Sequence, residues 1–440
     1  MQRQRSIHHK IWQIAWPAIL SNISTPLLGL VDTALLGHLE STRYLAAVAI
    51  GASILSFLYW GFGFLRMGTT GLVARATGAR DGTQELEVVL QSGILAVVLA
   101  FLVFVTQGWW LPLGLTLMNP AEELGLLAQG YVSIRVFSAP AVLVTYAITG
   151  WFIGRQNTRW PMLILITTNV LNIGLDVLFI VVLDGKSEGA AIATVLAEYA
   201  GCTLAVILAV RKLDWTPLPE VSAKLGKLQS YRSLLQSNQY LFVRTVCLLL
   251  AFAFFTAMST RQGETTLAAN TIMLNLMMLA AFGLDGFAFA AEGLSGNAAG
   301  ARDLDRMYRA VRACWIWTAL TAMLFSAAIA VSGHWLYPLF TDHAAVLSSI
   351  QQHQLWLILL PIVAAPSYLL DGVFIGTARS RYMMQGMVVS LCLVYLPAWF
   401  LLRGFENHGL WLAFTLFNGS RGATLWWHYL QLRQSRGWLD

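Results

Sequence analysis

The sequence predicts an all-α polytopic membrane protein of about twelve transmembrane helices, and three observations carry that reading. Of 440 residues, 57% are hydrophobic and 11% are charged, whereas a soluble domain carries roughly 25% charged residues. Apolar runs recur from one end to the other, many of them longer than the ~20 residues that cross a bilayer. Stretches such as LQSGILAVVLAFLVFV are apolar on every side. With no water at that depth the backbone must pair within helices or a closed barrel, and barrel strands alternate polar with apolar residues. Helices satisfy both constraints.

In chain order the apolar runs predict spans at 11–37, 44–74, 86–107, 124–154, 160–183 and 188–210. A polar, basic connection, KLDWTPLPEVSAKLGKLQSYR, follows, and six more spans come near 235–259, 264–297, 310–333, 346–377, 382–402 and 408–431. The implied organisation is a first lobe at 1–212, a connection at 213–234 and a second lobe at 235–440. The start, MQRQRSIHHK, has the charged head of a signal peptide. The run behind it contains Pro17, Pro26 and Asp32 and is too long for an h-region, so it is read as a retained first helix. Cys202, Cys247, Cys314 and Cys392 all fall in apolar segments without paired or metal-type spacing and are read as packing.

The net charge of +6 reflects topology rather than a nucleic-acid partner. The tails and the even-to-odd connections hold 20 Lys and Arg, and the opposite side holds four: Arg43, Lys186, Arg261 and Arg403. By the positive-inside rule both termini are cytoplasmic. The chain also repeats itself. TGLVARATGARD at 70–81 matches EGLSGNAAGARD at 292–303 in seven of twelve positions, and WFIGRQNTR at 151–159 matches VFIGTARSR at 373–381 at the same offset of 222. Two halves with an even number of spans share one orientation, the parallel-repeat arrangement of transporters that rock around a central site.

A charge at the bilayer centre costs at least ~2.5–3.5 kcal/mol, so Asp32, Asp176, Glu198, Asp285, Glu292 and Asp371 need water, partners or a role. By helical rise Asp32 lies roughly 9 Å, Asp176 roughly 12 Å and Thr194 roughly 9 Å inside the outer ends of their spans. Asn172 is one turn from Asp176 on the same face. Two carboxylates at one level in a low dielectric do not both stay ionised near neutral pH, which is what a proton carrier requires. Glu198 and Arg135 read as a structural ion pair. Arg66 and Arg244 read as snorkelling near cytoplasmic ends, Arg421 as neutralising Asp285 or Asp371, and Glu292 as lying close to the cytoplasmic surface. Pro17 and Pro26 each remove a backbone hydrogen bond from the first helix, and Gly29 adds slack before Asp32. Tyr59, Trp60, Met273, Met277 and Met278 are candidate cleft surfaces for amphipathic cations.

WPAILSNISTPLLGLVDTALLGHL in the first span, the repeated GARD connections and GLDGFAFAAEG resemble the multidrug and toxic compound extrusion transporters, in their DinF-type branch, over essentially the whole chain. The resemblance implies two six-helix lobes related by a pseudo-two-fold axis, around a cleft that alternates between outward and inward access. It implies that Asp32 carries the proton, that Asp176, Asn172 and Thr194 support it, and that Pro17 rather than Pro26 is the bending proline. Its cation-coupled branch uses acids of the second lobe, which leaves Asp285 and Asp371 as an alternative cation site and sodium as an alternative ion. The implied activity is antiport of cationic or amphipathic organic compounds by a monomer in the inner membrane, with no cofactor beyond the ion gradient. A lipid-linked precursor flippase is the rival. It is expected to line its cleft with several basic groups, whereas only Arg135 and Arg421 read as lying deep in spans. A membrane enzyme is disfavoured because no HExxH, GxSxG or Cys/His cluster occurs.

Overall fold

A computed structural model describes the backbone of residues 2–37 and 41–439; the side chains of 2–6, 25–28, 30, 32 and 439 lie outside the described residues. The first lobe holds α1 (Gln2–Gly37), α2 (Thr42–Gly61), α3 (Phe64–Ala79), α4 (Gly82–Val105), α5 (Gln107–Met118), α6 (Glu122–Arg135), α7 (Ala139–Gly154), α8 (Arg159–Asp176) and α9 (Lys186–Lys212). After the connecting α10 (Leu218–Leu225), the second lobe holds α11 (Arg232–Arg261), α12 (Glu264–Gly300) and α13 (Leu304–Leu336). It continues through α14 (Ala344–Gly376), α15 (Ser380–Val389), α16 (Leu396–Leu402) and α17 (Glu406–Ser435). Among the described residues, ten segments are long and apolar enough to cross a membrane. One of them, Ser380–Ser435, turns back at Arg403–Phe405 and supplies two crossings, and α1 completes the twelve.

The structure refines four of the expected spans. The second breaks at Phe62–Gly63 into α2 and α3. The fourth tightens to a 3-10 turn at Val136–Ser138, where Pro140 has no N–H to continue the α-helical ladder. The fifth and eleventh widen into π turns at Val177–Val182 and Ser390–Tyr395. The chain also forms two helices that the apolar runs do not announce, α5 and α10. Conversely, α1 passes through Pro17 and Pro26 without a backbone interruption, and the Ser21 hydroxyl donates to the Pro17 carbonyl at 2.8 Å. Apolar side chains such as Phe101, Leu117, Leu401 and Val331 stand outward and exposed, as lipid-facing groups do. The four cysteines are free.

The repeat is visible residue by residue. Non-glycine left-handed turns recur in pairs 222 positions apart: Arg80 and Arg302 (φ 58° and 55°), Gln156 and Ala378 (61° and 56°), Asp184 and Glu406 (51° each). In both GARD connections the aspartate caps the next helix, Asp81 accepting from Gln84 N and Asp303 from Arg306 N, each at 2.9 Å. Glycines repeat their contacts too. A Cβ on Gly78 would overlap the Asn297 backbone, and one on Gly300 the Arg75 backbone; Gly71 meets Ile375 as Gly293 meets Ile153. These pairs exchange partners between halves, which is the signature of a pseudo-two-fold axis. They also bring α3 and α12 into backbone contact, and that contact closes the GARD end of the molecule.

A polar pocket in the first lobe and a charged cleft between lobes

On α8, Asn172 and Asp176 stand one turn apart and both are buried. Asn172 Nδ2 donates to Asp176 Oδ2 at 2.8 Å and lies 3.4 Å from Thr194 Oγ1 on α9. The Thr194 hydroxyl gives its own proton to the Ala190 carbonyl at 2.9 Å, so its oxygen is oriented to accept. The structure therefore brings together Asn172, Asp176 and Thr194. The adjoining face of α8 is laced to α1, with Asn169 Nδ2 3.4 Å from Ser24 Oγ. The Asp32 and Pro26 side chains lie outside the described residues. The Asp32 backbone lies on α1, eight residues or roughly 12 Å of rise beyond Ser24. Arg135 and Glu198 form the expected ion pair beside this pocket, at 2.7 and 3.3 Å.

Between the lobes lies a cavity of about 320 Å³, lined from the first half by Trp60, Arg66 and Tyr146 and from the second by α11, α12, α14 and α17. Its volume is in the range of small-molecule sites. The Cβ-free surface of Gly372 lets α14 approach the Ala288 backbone of α12, which sets Asp371 and Asp285 into the same cavity. Asp371 accepts from two guanidinium groups, Arg244 and Arg421, the latter at 3.0 Å. Arg421 also donates to Asn418 Oδ1 at 3.1 Å. Across the cleft, Arg66 pairs with Glu292 at 3.3 Å and stacks over Phe289. The seal at Gly293–Gly300 begins directly below Glu292.

Several expectations change here. Arg244 does not snorkel: it is buried on Asp371. The signal was available, because Arg244 lies twelve residues, roughly 18 Å of rise, beyond Arg232. Arg66 and Glu292 likewise face the cleft instead of the surface. Arg135 is deep but inside the first lobe, so the basic groups of the cleft are Arg66, Arg244 and Arg421. Trp60, Met277 and Met278 line the cavity as expected. Tyr59 does not, because its hydroxyl is turned to Ser138 Oγ at 3.2 Å; Met273 is wholly buried in the second-lobe core.

The MatE family model matches the chain twice, at residues 17–178 and 241–400. The chain belongs to this family of MATE transporters. The DNA damage-inducible protein F of Escherichia coli (strain K12) is 36% identical over 94% of this chain and 90% of its own length. Protein DETOXIFICATION 44, chloroplastic, of Arabidopsis thaliana is 28% identical over 94% of this chain and 80% of its own. Among solved structures, the Vibrio cholerae MATE transporter VcmN in the bent form covers 100% of both chains with a TM-score of 0.85 at 21% identity, a likeness of fold. The double match is the same repeat that the turns and glycines display. As a MATE protein the chain is a multidrug efflux transporter by family, not an enzyme, and needs no cofactor. The family implies a small-molecule substrate.

Proposed function

We propose that this transporter is a proton-coupled antiporter that exports amphipathic or cationic organic compounds by alternating access. The carrying observation is the hydrogen-bonded Asn172–Asp176–Thr194 group on α8 and α9 beside α1, with Asn172 and Asp176 buried. A second carboxylate on α1, Asp32, completes a site in which one proton is shared by two acids. While ionised, Asp32 needs the Asn172 amide and its neighbours. Once protonated it becomes a donor, the network rearranges, and α1 is free to bend where Pro17 and Pro26 leave carbonyls unpaired.

The lobes are taken as 1–212 and 235–440, joined at 213–234, with both termini in the cytoplasm of the cell that holds the protein in its inner membrane. In that orientation the glycine seal closes the cytoplasmic side, and the described state faces outward. One chain contains both lobes and the whole cleft, so a monomer suffices. Sodium at Asp285 and Asp371 is the lesser reading, because a sodium ion would have to displace two guanidinium groups from Asp371. The flippase reading weakens for a related reason: Arg66 is already held by Glu292, and Arg244 and Arg421 by Asp371, so each cleft arginine already has a carboxylate partner that a pyrophosphate would have to displace.

Dye efflux from proteoliposomes, driven separately by a pH and by a sodium gradient, tests the proposal. The pH gradient alone should drive transport, and Asp32→Asn should abolish that component. Wild-type rates from Asp32→Asn, or efflux that follows only sodium, would overturn it.

A further inference from the structure

We infer that the second lobe holds a binding site for one anionic phospholipid, in a groove between α13 and α17 on the side of the GARD connections. The groove encloses about 380 Å³, in the size range of small-molecule sites. It shares no residue with the cleft between the lobes. Both helices pack on α14, whose buried Leu369 forms the floor together with Val311. The walls are two stripes at helical spacing. Tyr308, Arg312 and Trp315 stand at i, i+4 and i+7 on α13, and Trp426, Tyr429 and Arg433 at i, i+3 and i+7 on α17. Two ring pairs cross between them, Tyr308 with Tyr429 at 6.3 Å and Trp315 with Trp426 at 6.4 Å. Arg309 adds a third guanidinium to the rim.

The layering is that of a phospholipid. The three arginines lie within two residues of the ends of the spans 310–333 and 408–431, at headgroup level, whereas Trp315 and Trp426 lie five residues inside those ends, roughly 8 Å of rise. Arginines at that level often mark topology alone. Here three converge on one groove, and none of its lining residues is acidic. Every ion pair among the described residues involves other side chains. Of the nearest acids in sequence, Asp303 caps α13 by accepting from Arg306 N, and Asp305 pairs with no arginine among the described residues. The Tyr308 hydroxyl is buried without a hydrogen-bond partner among the described residues and adds a donor to guanidinium forks that match a phosphate. Basic pockets of this kind between membrane helices take lipid headgroups. The repeat supplies the comparison. At the offset of 222 the first lobe forms the same groove between α4 and α9, with Ala147 for Leu369, Val89 for Val311, Leu90 for Arg312 and Gly93 for Trp315. No charged residue lines that groove. The frame stands without the arginines, so their convergence in the second lobe answers to a ligand.

Delipidated transporter in neutral detergent, titrated with phosphatidylglycerol and with phosphatidylcholine of the same acyl chains and read by native mass spectrometry, tests this. The wild type should prefer phosphatidylglycerol. Arg312→Gln should weaken that lipid about tenfold, the size of one lost charge-assisted contact, and leave phosphatidylcholine as it was; Arg312→Lys should restore a part. Arg433→Gln should act like Arg312→Gln. Arg211→Gln removes the same charge at the first-lobe mate of Arg433 and should change neither lipid. Equal losses in Arg433→Gln and Arg211→Gln would reduce the effect to general surface charge and overturn the inference, as would equal affinity of the wild type for the two lipids. Glycerol 1-phosphate carries the head without the chains, and binding as tight as the lipid's would make this a site for soluble phosphate and overturn the lipid assignment. Should Arg312→Gln not fold, Arg433→Gln against Arg211→Gln decides alone.

Discussion

The first lobe and the second keep one register of turns and glycine contacts, yet their polar side chains fall at positions that do not correspond. Where α8 and α9 carry Asn172, Asp176 and Thr194, the register 222 residues on holds Val394, Ala398 and Leu416. Where α14 and α17 carry Asp371 and Arg421, the first lobe holds Thr149 and Tyr199. The shared positions are those where backbones touch or turn, and they fix how the lobes meet. The unshared ones are where a polar group costs free energy in the membrane and must be repaid by a task. Duplication thus supplied two equal frames, and each was fitted with a different set of polar groups: an amide and a hydroxyl around Asp176, beside one arginine–glutamate pair, in the first, and two arginines on the single carboxylate of Asp371 in the second.

If that division of labour holds, the largest effect comes from exchanging which acid is neutralised. Asp32→Asn and Asp176→Asn should both reduce pH-driven efflux in proteoliposomes to the leak of empty vesicles. Asp371→Asn should retain the response to the pH gradient while changing which dyes are moved. The comparison breaks if Asp371→Asn, and not the first-lobe pair, uncouples transport from the gradient.

The lobes should differ in stability as well. Arg135 and Glu198 are a pair, so Arg135→Ala strands a carboxylate beside the first-lobe core and should cost about 3–5 kcal/mol. Arg244→Ala leaves Asp371 still held by Arg421, and its cost should be about 1–3 kcal/mol. Detergent-solubilised unfolding curves measure both. Equal losses would mean that the triad is three interdependent groups and that Arg421 alone does not hold Asp371.

What the two lobes share was the most legible part of the chain. Composition and run length were enough for twelve helices, and the GARD and FIG matches gave the repeat, because close backbone approach at Gly71, Gly78 and Gly300 leaves no room for a Cβ. The N-x-x-x-D spacing gave the first-lobe pocket, because one helical turn places both side chains on one face. The cleft was less legible. Arg244 and Asp371 are 127 residues apart, and Arg66 and Glu292 are 226 apart; no local pattern links them. Each was therefore judged by its depth on its own helix, and for Arg66, Arg244 and Glu292 that led to the surface when the structure turns them inward. The breaks at Phe62–Gly63 and in the π turns were hidden for another reason: runs of apolar residues look alike whether the ladder steps by three, four or five.

The glycine seal offers a symmetric test of the comparison. Gly78→Val and Gly300→Val each push a side chain into the backbone of the opposite half, at Asn297 and Arg75 respectively. As mates across the axis they should act alike, each costing the closed state about 1–3 kcal/mol of overpacking. Cysteines placed near this end should then label faster from the side of the GARD connections in both variants. A large effect in one and none in the other would show that the axis does not govern this contact.

The smallest effect expected is that of Thr194→Val, and it is the sharpest probe of how the first-lobe pocket differs from its counterpart. The substitution keeps the side-chain shape and removes one oxygen. That oxygen accepts from Asn172 at a long 3.4 Å, while its proton is spent within α9 on Ala190. The loss to the pocket is therefore one weak acceptor, about 0.5–1.5 kcal/mol. Asn172 keeps its 2.8 Å bond to Asp176, so the acids stay supported. Efflux driven by a pH gradient should slow by no more than about tenfold and remain driven by that gradient. The reciprocal change, Leu416→Thr, puts the hydroxyl at the matching place in the second lobe, where Val394 and Ala398 give it nothing to hold, and should leave pH-driven efflux as it was. Complete loss of coupling in Thr194→Val would mean that the hydroxyl takes the proton itself. The pocket would then be a relay through α9, and Asp32 and Asp176 would be one end of it.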